Sequence, residues 1–323
     1  MIDSVSVVIP AYNAEATLPR AINSVLGQTM PPDEIIVVNN HSSDETTAVA
    51  QQYGSEVRIV SPTEAGGGPS DSRNCGIESS RCEWIAFLDA DDEWLPERIE
   101  RHKRIAQNAP DVVWLSGDYE SVADSRPLKR CGLSNTAQSQ EDVLRDALLA
   151  LGSTKRWSGD VIWTGTVTVK RAALDVVSQN DLWFDPEQRS SHDHDLWLRL
   201  AAHFPKMGYV WEPIARYHET NPTSVSRQTD CFDLSIVRLT ERCRTLAEKL
   251  APHRAGSVRR FVERITTHVC TEQFAVGNFS SGKQLYKASS GLGTRLPNYL
   301  RILSLMPTPM LKLMLRSWRL LRR

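Results

Sequence analysis

The sequence predicts an α/β fold: a doubly wound, mainly parallel sheet followed by a helical C-terminal extension. Three observations carry this. Short β-branched runs alternate with helical patterns from Val5 to about Asn108. The apolar run Trp84-Ile85-Ala86-Phe87-Leu88 ends abruptly in Asp89-Ala90-Asp91-Asp92. Beyond about Asp230 the pattern becomes helical and basic. The predicted organisation is therefore a sheet domain over residues 1–230 and a helical region over 231–323.

In order, Val5–Ile9 reads as a buried strand closed by Pro10-Ala11-Tyr12-Asn13. Thr17–Leu26 has helical periodicity through Leu18, Ala21, Ile22, Val25 and Leu26. Glu34–Val38 is a second strand, and the turn Asn39-Asn40-His41-Ser42-Ser43-Asp44 supplies capping groups for a helix over Glu45–Tyr53. Val57–Val60 is a third strand. Gly66-Gly67-Gly68-Pro69 is a loop before a helix over Ser70–Ser80. A helix over Pro96–Asn108 follows the acids. Further on, the pattern predicts a strand at Val112–Leu115, a loop over 121–140, a helix over Asp142–Leu151 and a strand at Trp163–Val169. Leu196–Phe204 reads as a helix, and Met207–Val210 and Ile214–Tyr217 as short strands. Trp94 and Trp197 read as core residues, with stacking on a sugar face as the alternative.

Composition narrows the function. The chain has 323 residues, 41% hydrophobic and 24% charged, which suits a globular protein with a sizeable core. A net charge of −1 gives no global nucleic-acid signature. Residues 273–323, however, hold nine Lys and Arg and no acid, against 29 basic and 39 acidic residues before them. Six cysteines without C-x-x-C spacing read as free thiols of a reducing compartment. No basic stretch precedes an apolar run at the start, and no apolar run reaches the ~18 residues of a spanning helix, so a cytoplasmic protein is predicted. The first strand-to-helix loop lacks G-x-G-x-x-G, which disfavours a dehydrogenase, and no G-x-x-x-x-G-K-(S/T) is present for a P-loop enzyme.

The acids after Leu88 fall at a strand's carboxyl end, where open α/β sheets bind ligands. Asp89 and Asp91 are spaced for one to hold a hard divalent cation, Mg²⁺ or Mn²⁺, while the other reaches it through water or takes a sugar hydroxyl. An acidic turn capping the next helix is the plainer reading. Asp193, within His192-Asp193-His194-Asp195, stands at a loop-to-helix junction. It reads as a general base or as part of an N-cap cluster. Zinc binding by His192, His194 and Asp193 is a further reading. His218 ends a short strand and by itself reads as a surface histidine. Arg227 reads as a phosphate clamp or a solvated side chain.

Residues 310–323 place Lys312, Arg316, Arg319 and Arg323 on one helical stripe and Leu311, Met314, Trp318 and Leu321 on another. That is an interfacial helix with a basic face, suited to an anionic membrane; packing on protein is the alternative.

With these pieces in place, the chain resembles a family 2 glycosyltransferase of the GT-A fold over about residues 4–230. Val5-Ser6-Val7-Val8-Ile9-Pro10-Ala11-Tyr12-Asn13 resembles the opening strand and nucleotide loop, and Ser24-Val25-Leu26-Gly27-Gln28-Thr29 follows in place. Ser72-Arg73-Asn74-Cys75-Gly76-Ile77 resembles the A-R-N-x-G segment, and Phe87–Asp92 the metal motif. His192–Arg199 resembles the E-D-x-(D/E)-L-W-x-R segment.

The resemblance implies inverting transfer of a sugar from a nucleotide diphosphate sugar to an acceptor hydroxyl on a glycan or lipid-linked carrier. Pro10, Ala11, Tyr12, Asn40 and Arg73 would contact the donor, Asp89 and Asp91 would serve ribose and metal, His218 would bind metal or diphosphate, and Asp193 would be the base. Two departures stand out: Asn39-Asn40-His41 replaces the usual acidic pair and glycine, and His192 replaces the glutamate before the base. The altered second loop leaves a catalytically degenerate nucleotide-sugar binder as the alternative. A nucleotidyltransferase is disfavoured, because no Gly-rich basic loop follows the first strand.

Overall fold

The structure is a computed structural model that describes residues 2–64, 68–123, 126–133, 141–153, 162–188, 190–219, 233–291 and 293–321. Its chain divides into two compact units. One holds residues 1–150, 158–187 and 192–222, and the other 151–157, 188–191 and 223–323.

The first unit is built on one twisted sheet. β1 (Val5–Ala11) pairs in parallel with β2 (Glu34–Asn39) and β4 (Trp84–Phe87), and β2 with β3 (Arg58–Val60). The connections are α1 (Leu18–Leu26), α2 (Thr46–Gln51) and α3 (Gly68–Ser79). Alternation along the strands sets the two faces. Val7, Ile9, Ile35, Val37 and Ala86 join Leu18, Ile22 and Val25 of α1 in one core cluster. On the other face α3 lies so close that a Cβ at Gly76 would fall 2.3 Å from Val8 Cγ1. Buried on both faces, these strands read as continuous apolar runs, which is why the sequence reports them well.

The second half of the sheet is antiparallel in part. Beyond β4 come β9 (Thr168–Lys170), β6 (Trp114–Ala123), β10 (Met207–His218) and β5 (Glu93–Trp94); β7 (Arg126–Cys131) pairs with β6 and β8 (Glu141–Leu144) with β10. β9 is antiparallel to both neighbours. α4 (Arg98–Asn108), α5 (Ala147–Ser153), α6 (Arg171–Val177) and α7 (His192–His203) complete this part.

Several predicted elements need correction. Residues 121–140 are not a loop throughout: β6 runs to Ala123 and pairs with β7, while 134–140 lie outside the described residues. Asp142–Leu151 is not one helix. Glu141–Leu144 pairs with Val210–Met207, and the helix starts only where Asp146 Oδ1 accepts the Leu148 N–H at 3.0 Å. Trp163–Val169 is broken by a 3₁₀ turn at Thr164–Thr166, where the Thr166 hydroxyl donates to the Trp163 carbonyl. Met207–Val210 and Ile214–Tyr217 are one strand with register shifts on either side of Pro213, whose missing N–H suits a bulge. α7 begins at His192, not Leu196, which puts Asp193 in its first turn. β5 and α6 were not foreseen. Trp94 and Trp197 are buried as predicted.

The second unit contains α8 (Asp233–Glu248), α9 (Pro252–Val276), α10 (Phe279–Gly291), α11 (Asn298–Leu305) and α12 (Thr308–Leu321). Ile236, Leu239, Phe261, Ile265, Phe274 and Leu285 are buried there. α9 opens on Pro252 and stops at Gly277, whose φ of +95° suits glycine. No described helix is long and apolar enough to cross a membrane. Cys75, Cys82, Cys131, Cys243 and Cys270 are free thiols, and Cys231 lies outside the described residues.

Candidate active site

The carboxyl ends of β1, β2 and β4 open side by side, at the point where the sheet order reverses about β1. Pro10 and Ala11 close β1, and Tyr12 is exposed just beyond it. The loops after β1 and β2 are tied together: the Asn13 N–H donates to Ser42 Oγ at 3.0 Å, and Asn13 Oδ1 accepts the Ser43 N–H at 2.9 Å. Asn40 is buried. Its backbone N–H donates to the Ala11 carbonyl at 2.9 Å and its Nδ2 to the Gly68 carbonyl at 3.3 Å. Among the described residues its Oδ1 has no hydrogen-bond partner. A buried acceptor left unpaired is costly, so this oxygen is suited to a donor from outside, such as a nucleobase N–H.

Arg73 organises the next layer. It sits buried on α3. Its Nη2 donates to Asp89 Oδ1 at 2.5 Å, and its Nη1 donates to His192 Nε2 at 2.5 Å. The Phe184 ring lies under the guanidinium, 5.5 Å from centroid to Cζ, and meets the His192 ring edge-on. Asn74, the next residue on α3, holds Phe184 by both backbone groups: Nδ2 donates to its carbonyl at 2.7 Å, and Oδ1 accepts its N–H at 2.9 Å. Burial, followed by the Arg73 charge, holds the His192 imidazole down to about 4, so it is neutral at physiological pH and accepts from Arg73. The cation beside His192 is Arg73.

Asp193 follows directly, its side chain 17% exposed in the first turn of α7. Its Oδ2 accepts the Thr164 hydroxyl at 3.1 Å, and its Oδ1 accepts the His194 N–H at 2.9 Å. Burial works against ionisation, but His194, the Arg73 charge and the His194 N–H outweigh it and hold the carboxyl below the usual carboxylate range.

The remaining acids gather round the start of β5. Arg20 on α1 donates to the Asp91 carbonyl. Asp92 is buried; its Oδ1 accepts the His218 N–H at 2.8 Å, and burial, with the Asp91 and Asp89 charges, pushes its carboxyl well above the usual range. Just before β5, Asp92 is thus structural, pinning the end of β10. His218 Nε2 lies 3.7 Å from Glu93 Oε1 and has no hydrogen bond among the described residues. Burial, helped by Arg20, lowers its pKa, so the ring is neutral and able to ligate.

The structure therefore brings Arg73, Asp89, His192 and Asp193 into one chain of contacts, and Asp92 with His218 into another. Among the described residues no three His, Cys, Asp or Glu side chains form a metal cage. The zinc reading fails, since His192, Asp193 and His194 do not form a metal-ligand group among the described residues. Asp89, predicted for the metal, has one oxygen committed to Arg73. Arg227 lies outside the described residues. Arg20, Thr164 and Phe184 were missed. Only Arg20 left a trace, as a basic side chain in the helix after the first loop.

Residues 6–144 match the family model "Glycosyl transferase family 2". The uncharacterized glycosyltransferase RP339 of Rickettsia prowazekii is 29% identical over 198 residues, 61% of this chain and 58% of that protein. The putative teichuronic acid biosynthesis glycosyltransferase TuaG of Bacillus subtilis is 29% identical over 147 residues, 45% of this chain and 58% of that one. The chain thus spans somewhat over half the length of each. Among solved structures, S. aureus TarS 1–349 in complex with UDP-GlcNAc superposes with a TM-score of 0.72 over 98% of this chain and 91% of that one, at 18% identity, which speaks for the fold. Residues 6–144 thus match a glycosyl transferase family 2 domain, and the fold of the chain is that of the superposed structure.

Proposed function

We propose that the chain is an inverting glycosyltransferase that moves a sugar from a nucleoside diphosphate sugar to a hydroxyl of a glycan or lipid-linked acceptor, on the cytoplasmic face of a membrane. The observation that carries this is the ionised Asp193, joined through His192 and Arg73 to Asp89. Residues 1–230 are assigned to donor binding and chemistry, and residues 231–323 to a helical region that includes the membrane contact. The TarS complex with UDP-GlcNAc supports a nucleotide-sugar donor, and the name of TuaG supports an envelope polysaccharide as the product.

In this reading Asn40 Oδ1 takes a base N–H, Pro10, Ala11 and Tyr12 border the nucleotide, and Arg73 steadies Asp89 beside the ribose or diphosphate. Asp193 accepts the proton of the acceptor hydroxyl as that oxygen attacks the face opposite the leaving group. Its Thr164 hydrogen bond fixes the carboxylate's orientation. A neutral His218 and the Asp91 carboxylate suit Mg²⁺ or Mn²⁺, which needs few protein ligands when phosphate oxygens complete its shell. Such a cation, when bound, neutralises charge on the departing diphosphate.

The test is sugar transfer by wild type and Asp193→Asn with a matched donor and acceptor. The variant should keep donor affinity and lose ~10²–10⁴-fold in transfer rate. Unchanged transfer removes Asp193 as the base. Donor binding without turnover in the wild type would favour the degenerate binder.

A further inference from the structure

The last two helices carry apolar residues on more than one side. In α12 Leu311 is 3% exposed, and Leu315 reaches the end of α9, within 3.4 Å of where a Cβ on Gly277 would stand. Those two residues, spaced i, i+4, form the inward face. Met310 and Leu313 point the other way, 53% and 66% exposed, with Met314 and Lys312 also exposed. In α11 Leu300 is buried, whereas Ile302 and Leu305 are 57% and 75% exposed and flank an exposed Arg301. The junction is fixed by Lys283 Nζ, which donates to the Met306 carbonyl at 2.5 Å. The sequence pattern had set Leu311 and Met314 on one stripe. The structure separates them, so packing on protein and an outward apolar face are not alternatives: α12 does both.

We propose that the outward residues of α11 and α12 (Ile302, Leu305, Met310, Leu313 and Met314, with Arg301 and Lys312) form a docking surface for an anionic phospholipid bilayer. The inference rests on the reading that the enzyme works at a membrane. Charge decides the occupant. Residues 273–323 contain nine Lys and Arg and no acid. A second copy would set like charges face to face, whereas an anionic headgroup layer complements them while the Ile, Leu and Met side chains enter the acyl boundary. Thr308–Leu321 is 14 residues, too short to span and long enough to lie in the interface.

The experiment is flotation of the full chain with phosphatidylcholine vesicles, with and without phosphatidylglycerol, at low and high salt. Wild type should float with the anionic vesicles, less at high salt. Met310→Glu with Leu313→Glu should lower partitioning by about 10-fold or more on those vesicles. Arg301→Glu with Lys312→Glu should do likewise on anionic vesicles and leave the weak binding to neutral ones unchanged. All four positions are exposed, so UDP affinity, measured alongside, should be unaltered. Failure of wild type to float, or equal flotation of the variants, overturns the docking surface. So does a wild-type dimer that the Met310/Leu313 pair dissolves, because the face would then join two copies. Wild type that floats but binds none of UDP, GDP and dTDP would instead count against the proposed function alone.

Discussion

Arg73 holds two different acceptors on one buried guanidinium, and that fork requires its neighbours to be in particular protonation states. His192 can accept only while neutral. The unfolded imidazole titrates near 6.5 and the folded one near 4. Between those values the unfolded chain binds the extra proton, so the contribution is complete above pH 6.5 and drains away as pH falls towards 4, by up to about 3 kcal/mol. His192→Gln offers Arg73 an acceptor that does not titrate. Its urea midpoint should therefore fall less than that of wild type between about pH 7 and about pH 5; His102, buried and also depressed, supplies a slope common to both. Parallel pH profiles would contradict this. Arg73→Met keeps the stem but strips Asp89 and His192 of their donor. It should cost about 1.5–3 kcal/mol in chemical unfolding, as for a hydrogen bond to a charged group, and weaken binding of the donor nucleotide.

At the scale of elements, α3 is the part that carries geometry from sheet to site. Gly76 allows it to lie against Val8 and Val38, and Arg73 stands one turn earlier on the same helix. Gly76→Ala should push α3 off the sheet, cost about 1–3 kcal/mol in thermal or chemical unfolding and weaken binding of the donor nucleotide in the same variant. An unshifted melting temperature would show that the helix absorbs the methyl group.

The same element shows what the sequence can and cannot carry. Parallel strands buried on both faces announce themselves as apolar runs, and the segments around Arg73, Asp89 and Asp193 were visible as motifs. Edge strands such as Glu141–Leu144 are polar and borrow their order from β10, so local pattern misreads them as helix. The start of α7 was misplaced because His192-Asp193-His194-Asp195 is polar while three of those four residues are buried. Contacts between residues far apart in sequence, such as Thr164 with Asp193 or Asn74 with Phe184, leave no local signature at all.

At the scale of the whole molecule, acid and base are segregated along the chain. The surplus of acids lies before residue 273, and the closing 51 residues are purely basic. That segregation is what the two proposals call for: nucleotide chemistry in residues 1–230, and an anionic surface met by the basic stretch from 273 onward. The first was legible from motifs. The second was legible only in outline, because helical periodicity could not tell which apolar stripe of α12 is covered by protein. The function rests most directly on nucleotide recognition, and calorimetric titration with UDP, GDP and dTDP, each with and without Mn²⁺, measures it. Binding of one of these nucleotides that strengthens with Mn²⁺ and weakens in Asp91→Ala is the predicted result. A folded protein that binds none of them under any condition would contradict it.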